Sequence, residues 1–187
     1  MSKEFIFEKK IKIAIVGCGR ICQNHIKAIL NNHQRADLVA LCDISNERLE
    51  QAEKQIIEIS RELDIKLNLP YKYKNLDELL AAKKLNKIKL DLVTLATPSG
   101  LHPIQAIQVA NASINVCCEK PMATKLEDGV SMLEACKKND VQFFLVKQNR
   151  LNSTLELVKR QIELGRFGQL SLVTVNVFWQ RPQSYYD

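Results

Sequence analysis

IKIAIVGCGRIC, residues 11–22, joins an apolar run of strand type to a turn that carries two glycines. Gly17 permits a tight turn. Gly19 lets the backbone approach a pyrophosphate, whose charge is stabilised by free amides and by the positive end of the following helix. The stretch matches the G-x-G-x-x-G fingerprint except that Cys22, a small residue, replaces the third glycine. It therefore predicts a strand, a dinucleotide-binding turn and a helix, although an ordinary strand-to-helix turn can also use two glycines.

Short β-branched runs alternate with longer segments of helical period from Ile11 to Phe144. This alternation is typical of βαβ units, so we predict an α/β fold with a doubly wound parallel sheet of the Rossmann type. The predicted strands are 11–16, 38–42, 92–96, 115–118 and 141–146, with a weak edge strand at 71–74. The predicted helices are 22–31, 46–63, 76–84, 103–111 and 125–139.

Three polar pairs predict helix starts. Thr124 with Glu127 fits the capping box S/T-x-x-E, Asn75 with Glu78 is a similar arrangement, and Ser153 with Glu156 opens a further helix. In each pair we expect the first side chain to accept a hydrogen bond from a backbone amide in the first helical turn.

The pattern changes towards the end of the chain. A helix at 153–164 precedes a long predicted strand at 170–179, whose alternate apolar residues share one face. We place a dinucleotide-binding Rossmann domain at 1–150, and at 151–187 the connecting helix and first strand of a truncated α+β domain. A strand without neighbours exposes an edge and an apolar face, so we expect a homo-oligomer formed through it.

Composition excludes several classes of protein. With 187 residues and 46% hydrophobic content, the chain can build one full domain and a remainder. Charges interrupt the apolar runs of residues 1–17, so we expect neither a signal peptide nor a membrane span, but a soluble, cytoplasmic protein. The net charge of +6 is spread along the chain, and the six cysteines lack CxxC spacing. We therefore expect no nucleic-acid partner, no metal site and reduced thiols.

Polar residues follow several predicted strands. Asp43 follows the second, Thr97 and His102 follow the fourth, and Glu119 with Lys120 follows the fifth. The carboxyl ends of parallel strands meet at the edge where open α/β sheets bind ligands. A carboxylate at Asp43 suits ribose hydroxyls and repels a ribose phosphate, which favours NAD over NADP. Arg48 on the following helix can offset this repulsion. Asp43 as a helix cap and His102 as a helix-start residue remain alternatives.

The segments GCGRICQNHIKAI, TPSGLH and EKPMA, in this order and spacing, resemble the Gfo/Idh/MocA (glucose-fructose oxidoreductase/inositol dehydrogenase) oxidoreductases. The resemblance implies an NAD-dependent dehydrogenase that transfers a hydride from a sugar hydroxyl. It also implies a substrate half beyond this stretch that carries the second catalytic group. The implied cofactor-binding residues are Gly17, Gly19, Arg20, Ile21, Asp43, Thr97, Pro98, His102, Glu119 and Lys120.

The resemblance gives Lys120 the catalytic role. A lysine that faces the nicotinamide can polarise or deprotonate the substrate hydroxyl. Several members of the family have a cis bond at this proline, so we expect a cis Lys120–Pro121 peptide. The alternative to an enzyme is a non-catalytic NAD-binding module or a truncated relic.

A narrower resemblance concerns the substrate. The segments VKQNR at 146–150 and WQRPQSYY at 179–186 are similar to members that act on nucleotide-activated amino sugars, such as UDP-N-acetyl-2-amino-2-deoxyglucuronate dehydrogenases. It implies a sugar or nucleotide-sugar substrate. Arg150 and Arg181 then become candidates to bind a carboxylate or diphosphate, because guanidinium pairs with both in bidentate fashion. Either arginine can instead be an ordinary surface residue.

Overall fold

The computed structural model describes residues 9–183; residues 1–8 and Ser184, Tyr185 and Tyr186 of the WQRPQSYY segment lie outside the described part. Six parallel strands form one sheet in the order β3-β2-β1-β4-β5-β6. This is the doubly wound order, and the predicted fold class is confirmed. The strands are β1 (Ile11–Val16), β2 (Ala36–Cys42), β3 (Tyr71–Tyr73), β4 (Leu92–Leu95), β5 (Asn115–Cys118) and β6 (Phe143–Leu145).

The helices of the sheet unit follow the strands as predicted and differ from the predictions only at their ends. They are α1 (Cys22–Asn31), α2 (Asn46–Glu62), α3 (Leu76–Lys84), α4 (His102–Asn111) and α5 (Leu126–Lys138). A short 3-10 turn, Ser99–Leu101, leads into α4. No helix within residues 9–183 is both long and apolar enough to cross a membrane.

The sheet is covered on both faces. Alternate residues of β1 enter different clusters: Ile13 and Ile15 pack with α1 and α2, and Ala14 and Val16 pack with α3, α4 and α5. Burial on both faces explains why the central strands read as continuous apolar runs and not as alternating ones. The polar residues that end these strands are therefore held on a rigid edge.

One of the three predicted helix caps is confirmed. Asn75 Oδ1 accepts from the Glu78 amide at 2.9 Å, as expected. The prediction for Thr124 is wrong, because α5 is preceded by Lys125, whose backbone is extended and whose side chain makes no cap hydrogen bond. The helix thus begins too late for Thr124 to occupy the capping position.

The chain divides into two compact units, Met1–Val146 and Lys147–Asp187. In the second unit, a 3-10 turn (Gln148–Leu151) precedes α6 (Ser153–Glu163). Asn152 caps α6, its side chain accepting from the amides of Thr154 and Leu155. The prediction that Ser153 caps this helix is therefore wrong, because Ser153 is already its first residue. The helix stops before Gly165, whose φ of +68° suits glycine.

The predicted strand at 170–179 is not formed. No strand is assigned after β6 within the described residues, and the segment is exposed throughout. A β-strand is defined by hydrogen bonds to a neighbour, and no second strand in 147–183 offers them. Large apolar side chains such as Leu172 and Phe178 consequently lie 83% and 91% exposed. Self-association through this segment stays a prediction.

Candidate functional site

A crevice opens at the carboxyl edge of the sheet, between the ends of β1 and β4, where the strand order reverses. Its volume is about 400 Å³. Five of the residues predicted to bind a cofactor line it: Gly17, Gly19, Asp43, Thr97 and Pro98. Open α/β sheets bind their ligands at this point, so the crevice is the candidate site.

The two glycines of the first turn meet different requirements. Gly17 has φ +96°, and a Cβ there would lie 2.6 Å from the backbone carbonyl of Ala96. Its amide donates to Cys42 O at 2.8 Å, which holds the turn against β2. By contrast, a Cβ on Gly19 would meet no atom within 4 Å. Gly17 therefore allows close packing, and Gly19 leaves the mouth of the crevice open.

Helix α1 points its amino end at this opening. Ile21 precedes the helix, and no side chain caps the first turn. An uncapped helix start offers backbone amides and a positive partial charge to an anion. Arg20 and Ile21 are exposed beside it, and the third position of the fingerprint, Cys22, is 1% exposed within the core.

Asp43 fixes the glycine turn. It is 7% exposed. Its Oδ2 accepts from the Cys18 amide at 2.7 Å, and its Oδ1 accepts from the Ser45 amide at 2.8 Å. Ser45, not Asp43, caps α2, because its hydroxyl accepts from the Arg48 amide. Each carboxylate oxygen still has a lone pair for a ligand hydroxyl.

The loop after β4 is braced by two side chains. Thr97 Oγ1 donates to Gln105 Oε1 at 2.6 Å. His102 is 1% exposed; its Nε2 lies 2.8 Å from Thr97 O and its Nδ1 2.9 Å from Pro121 O. His102 is also the first residue of α4. Because its two ring nitrogens contact Thr97 and Pro121, the imidazole connects the loop after β4 to the loop after β5.

The loop after β5 carries Glu119 and Lys120. The Lys120–Pro121 peptide bond is cis, as expected. The Lys120 side chain is exposed, whereas Glu119 is buried. Glu119 Oε1 lies 3.0 Å from His25 Nε2, and Glu119 Oε2 accepts from the Lys120 amide at 3.1 Å. The buried carboxylate thus holds the backbone of Lys120, whose side chain is exposed.

The cysteines form no disulfide. All six are reduced, and five of them are buried. Burial raises the pKa of Cys42 and of Cys118 to about 12. The pKa of the Cys18 thiol also lies well above its ordinary value, because of its contact with Cys22 and its burial. Within residues 9–183, no cluster of His, Cys, Asp or Glu is arranged to hold a metal ion.

A second cavity, of about 470 Å³, lies at the amino ends of β1, β2 and β3. Lys10, Lys12 and His33 are among its lining residues, and none of the predicted site residues is. Although it is the larger cavity, it lies away from the edge where parallel sheets present their strand-end residues.

Arg150 and Arg181 both lie in the second unit. Arg150 belongs to the 3-10 turn before α6. The Arg181 guanidinium stacks over the Trp179 ring, 4.8 Å from its centroid. Their predicted role in substrate binding stays a prediction.

Comparison with known proteins identifies the family. Residues 11–147 match the model of the GFO_IDH_MocA oxidoreductase family, NAD-binding Rossmann fold. The chain belongs to this family. The matched range covers the sheet and every residue that lines the crevice, so this Gfo/Idh/MocA chain has the family's NAD-binding Rossmann domain.

Solved structures and a curated relative resemble this Gfo/Idh/MocA chain. The WlbA dehydrogenase from Bordetella pertussis, in complex with NADH and UDP-GlcNAcA, is 48% identical, with a TM-score of 0.82 over 95% of this chain and 49% of that one. The WlbA dehydrogenase from Chromobacterium violaceum is 42% identical, with a TM-score of 0.83 over 97% and 48%. D-apiose dehydrogenase from Paraburkholderia graminis is 30% identical over 86% of this chain and 38% of its own length. The chain spans less than half of each of these proteins.

Three residues near the site escaped the sequence reasoning. Gln105 and Lys74 line the crevice, and His25 pairs with Glu119. Lys74 follows the weak edge strand β3, and its position after a strand is the sequence signal that predicts a site residue there. His25 lies on a helix, and its partner is 94 positions away in the sequence, which no local pattern reveals.

Proposed function

We propose that this chain is the cofactor-binding part of an NAD-dependent dehydrogenase that oxidises a hydroxyl group of a nucleotide-activated amino sugar or uronate. One observation carries the proposal: the glycine turn, a buried carboxylate and the loop after β4 line a single crevice at the carboxyl edge of the sheet. This is the combination that a dinucleotide requires.

The residues of the crevice fit NAD. The uncapped amino end of α1 and the open space at Gly19 suit the pyrophosphate. The remaining lone pairs of Asp43 suit ribose hydroxyls, and its charge opposes a ribose phosphate. Arg48 and Lys74 line the same crevice, so we expect a preference for NAD over NADP and not complete exclusion of NADP. When bound, NAD supplies the acceptor for the substrate's hydride.

Lys120 is the proposed catalytic residue. Its exposed amine follows a buried carboxylate at the end of β5, beside the loop that His102 ties to the crevice. We propose that the amine takes up the proton of the substrate hydroxyl while the carbon that bears this hydroxyl loses its hydride. Thr97 and Pro98 would hold the cofactor along the crevice, and His102 would keep the two loops together.

The substrate class is supported by the relatives. The WlbA structures at 48% and 42% identity contain UDP-GlcNAcA, whereas the D-apiose dehydrogenase is only 30% identical to this chain. A diphosphate and a uronate are both anions that arginine binds well. Arg150 and Arg181 are the proposed partners for these groups.

Calorimetric titration tests the cofactor part of the proposal. The chain is titrated with NAD, NADH and NADP, as are Asp43→Ala and the control Glu50→Ala, which removes an exposed carboxylate from α2. We expect NAD and NADH to bind and NADP to bind more weakly. Asp43→Ala should lower the affinity for NAD, and Glu50→Ala should not. A folded chain that binds none of the three contradicts the proposal.

Turnover tests the chemical part. Formation of NADH is followed with UDP-GlcNAcA, and with myo-inositol as the alternative substrate. Activity with UDP-GlcNAcA that Lys120→Ala abolishes, while NADH still binds, would support the proposed role of Lys120. If NAD binds but this chain turns over neither substrate, the chain by itself acts as a cofactor-binding module.

A further inference from the structure

A largely buried pair of side chains joins the helix after the glycine turn to the loop that carries Lys120. His25 lies on α1, less than one turn beyond Cys22, and Glu119 follows β5 directly. Their side chains are 16% and 9% exposed, and His25 Nε2 lies 3.0 Å from Glu119 Oε1. In the sheet, β4 separates β1 from β5, so this contact spans two strand spacings, about 9.6 Å.

The chemistry of the pair determines where its proton lies. A carboxylate offers only acceptors, so His25 Nε2 carries the hydrogen and donates it to Glu119. The second oxygen, Oε2, accepts from the Lys120 amide at 3.1 Å. The Glu119 amide in turn donates to Leu95 O at the end of β4. The carboxylate therefore uses both oxygens inside the protein and contacts the backbone of the residue next to it.

We propose that His25 and Glu119 are positioning residues that fix the Lys120 loop relative to the glycine turn. In this arrangement the Glu119 carboxylate holds the backbone of Lys120, and His25 holds the carboxylate. The proposal rests on the proposed cofactor function. It gives Glu119 a role besides the one that the resemblance implied, which was binding of the cofactor.

Two ligands separate positioning from a general structural effect. With the proposed cofactor site, NADH would extend from the glycine turn to the Lys120 loop, whereas ADP would occupy only the end near the turn and Asp43. Loss of the pair should loosen the Lys120 loop and leave the glycine turn intact, because Asp43 and Cys42 hold that turn independently. The affinity for NADH should fall and that for ADP should not.

The experiment is calorimetric titration of the full chain with NADH and with ADP. The variants are His25→Ala, Glu119→Ala, the double variant and His25→Gln, in which the amide nitrogen can still donate to Glu119. Lys27→Ala, exposed on the same helix, is the control. We expect each alanine variant to raise the Kd for NADH about tenfold, the scale of one hydrogen bond to a charged group. The double variant should be no worse than either single one, and His25→Gln should recover most of the affinity.

Three results would overturn the proposal. If Glu119→Ala weakens NADH binding and His25→Ala does not, Glu119 does not act through the pair. If the two single effects multiply in the double variant, the residues act independently. If His25→Ala lowers the affinities for ADP and NADH equally, the role of His25 is only structural. A wild-type chain that binds neither ligand refutes the proposed function instead, so the two failures are distinguishable.

Discussion

Replacing the two glycines of the first turn one at a time should separate stability from ligand binding. In Gly17→Ala the new methyl group would lie 2.6 Å from the Ala96 carbonyl at φ +96°. The left-handed backbone costs about 1–2 kcal/mol, and relief of the overlap about 1–3 kcal/mol. We take the sum as about 3 kcal/mol of lost unfolding free energy. For a chain of this size that lowers Tm by roughly 6–12 °C.

Gly19→Ala is the matched variant, since its methyl group meets no protein atom within 4 Å. Its unfolding free energy should stay within about 0.5 kcal/mol of wild type. The methyl group would instead occupy the space through which a pyrophosphate approaches the turn, so the Kd for NADH should rise about tenfold or more. Thermal denaturation followed by circular dichroism and calorimetric titration with NADH measure the two effects.

The reasoning fails if the two variants behave alike. A Gly17→Ala protein that melts within about 2 °C of wild type would mean that the turn does not pack against Ala96. A Gly19→Ala protein that binds NADH as well as wild type would mean that the pyrophosphate does not pass over this turn.

Two further predictions follow from shifted pKa values. Burial alone would raise the pKa of the Asp37 carboxyl, but hydrogen bonds and charges from Lys12 and Lys10 outweigh it and lower that pKa. The stabilisation is present above the unfolded pKa of about 3.9 and is lost as the pH falls through the folded pKa. Asp37→Asn should therefore lower the unfolding free energy by about 0.5 kcal/mol in urea titrations at neutral pH, and by less as the pH falls below about 4. A loss of unfolding free energy that does not change with pH would contradict this. The pKa of about 12 at Cys42 and Cys118 keeps both thiols protonated at neutral pH. Mass spectrometry should therefore find neither thiol alkylated by iodoacetamide in the folded chain, and both alkylated in the urea-unfolded chain. Rapid labelling of the folded chain would contradict the burial of these thiols.

The sheet could be predicted because its signals are local. The strands β1 and β5 begin and end where the apolar runs do, since burial on both faces demands such runs. Parallel pairing then brings the residues after each strand to one edge, which is why Asp43 and Thr97 were expected together. The spacing of the glycines likewise identified the turn before its contacts were known.

The remaining features depend on contacts that no local pattern contains. The helix after Thr124 starts where the backbone leaves the extended conformation at Lys125, and the capping motif alone does not determine that residue. The alternation at 170–179 is that of a strand, yet no strand forms without a neighbour in the described chain to complete the hydrogen bonds. The partnership of His25 with Glu119 arises from the order of the strands, and so appears only in the fold.

Hydrogen exchange with and without NADH tests the central claim most directly, because it locates the bound cofactor on the chain. We expect slower exchange of the backbone amides at residues 17–24, 43–45 and 97–102, which surround the crevice at the carboxyl edge, and no change at 36–39 or 65–71. Protection confined to 36–39 and 65–71 would place the ligand in the cavity at the amino edge and contradict the proposed site.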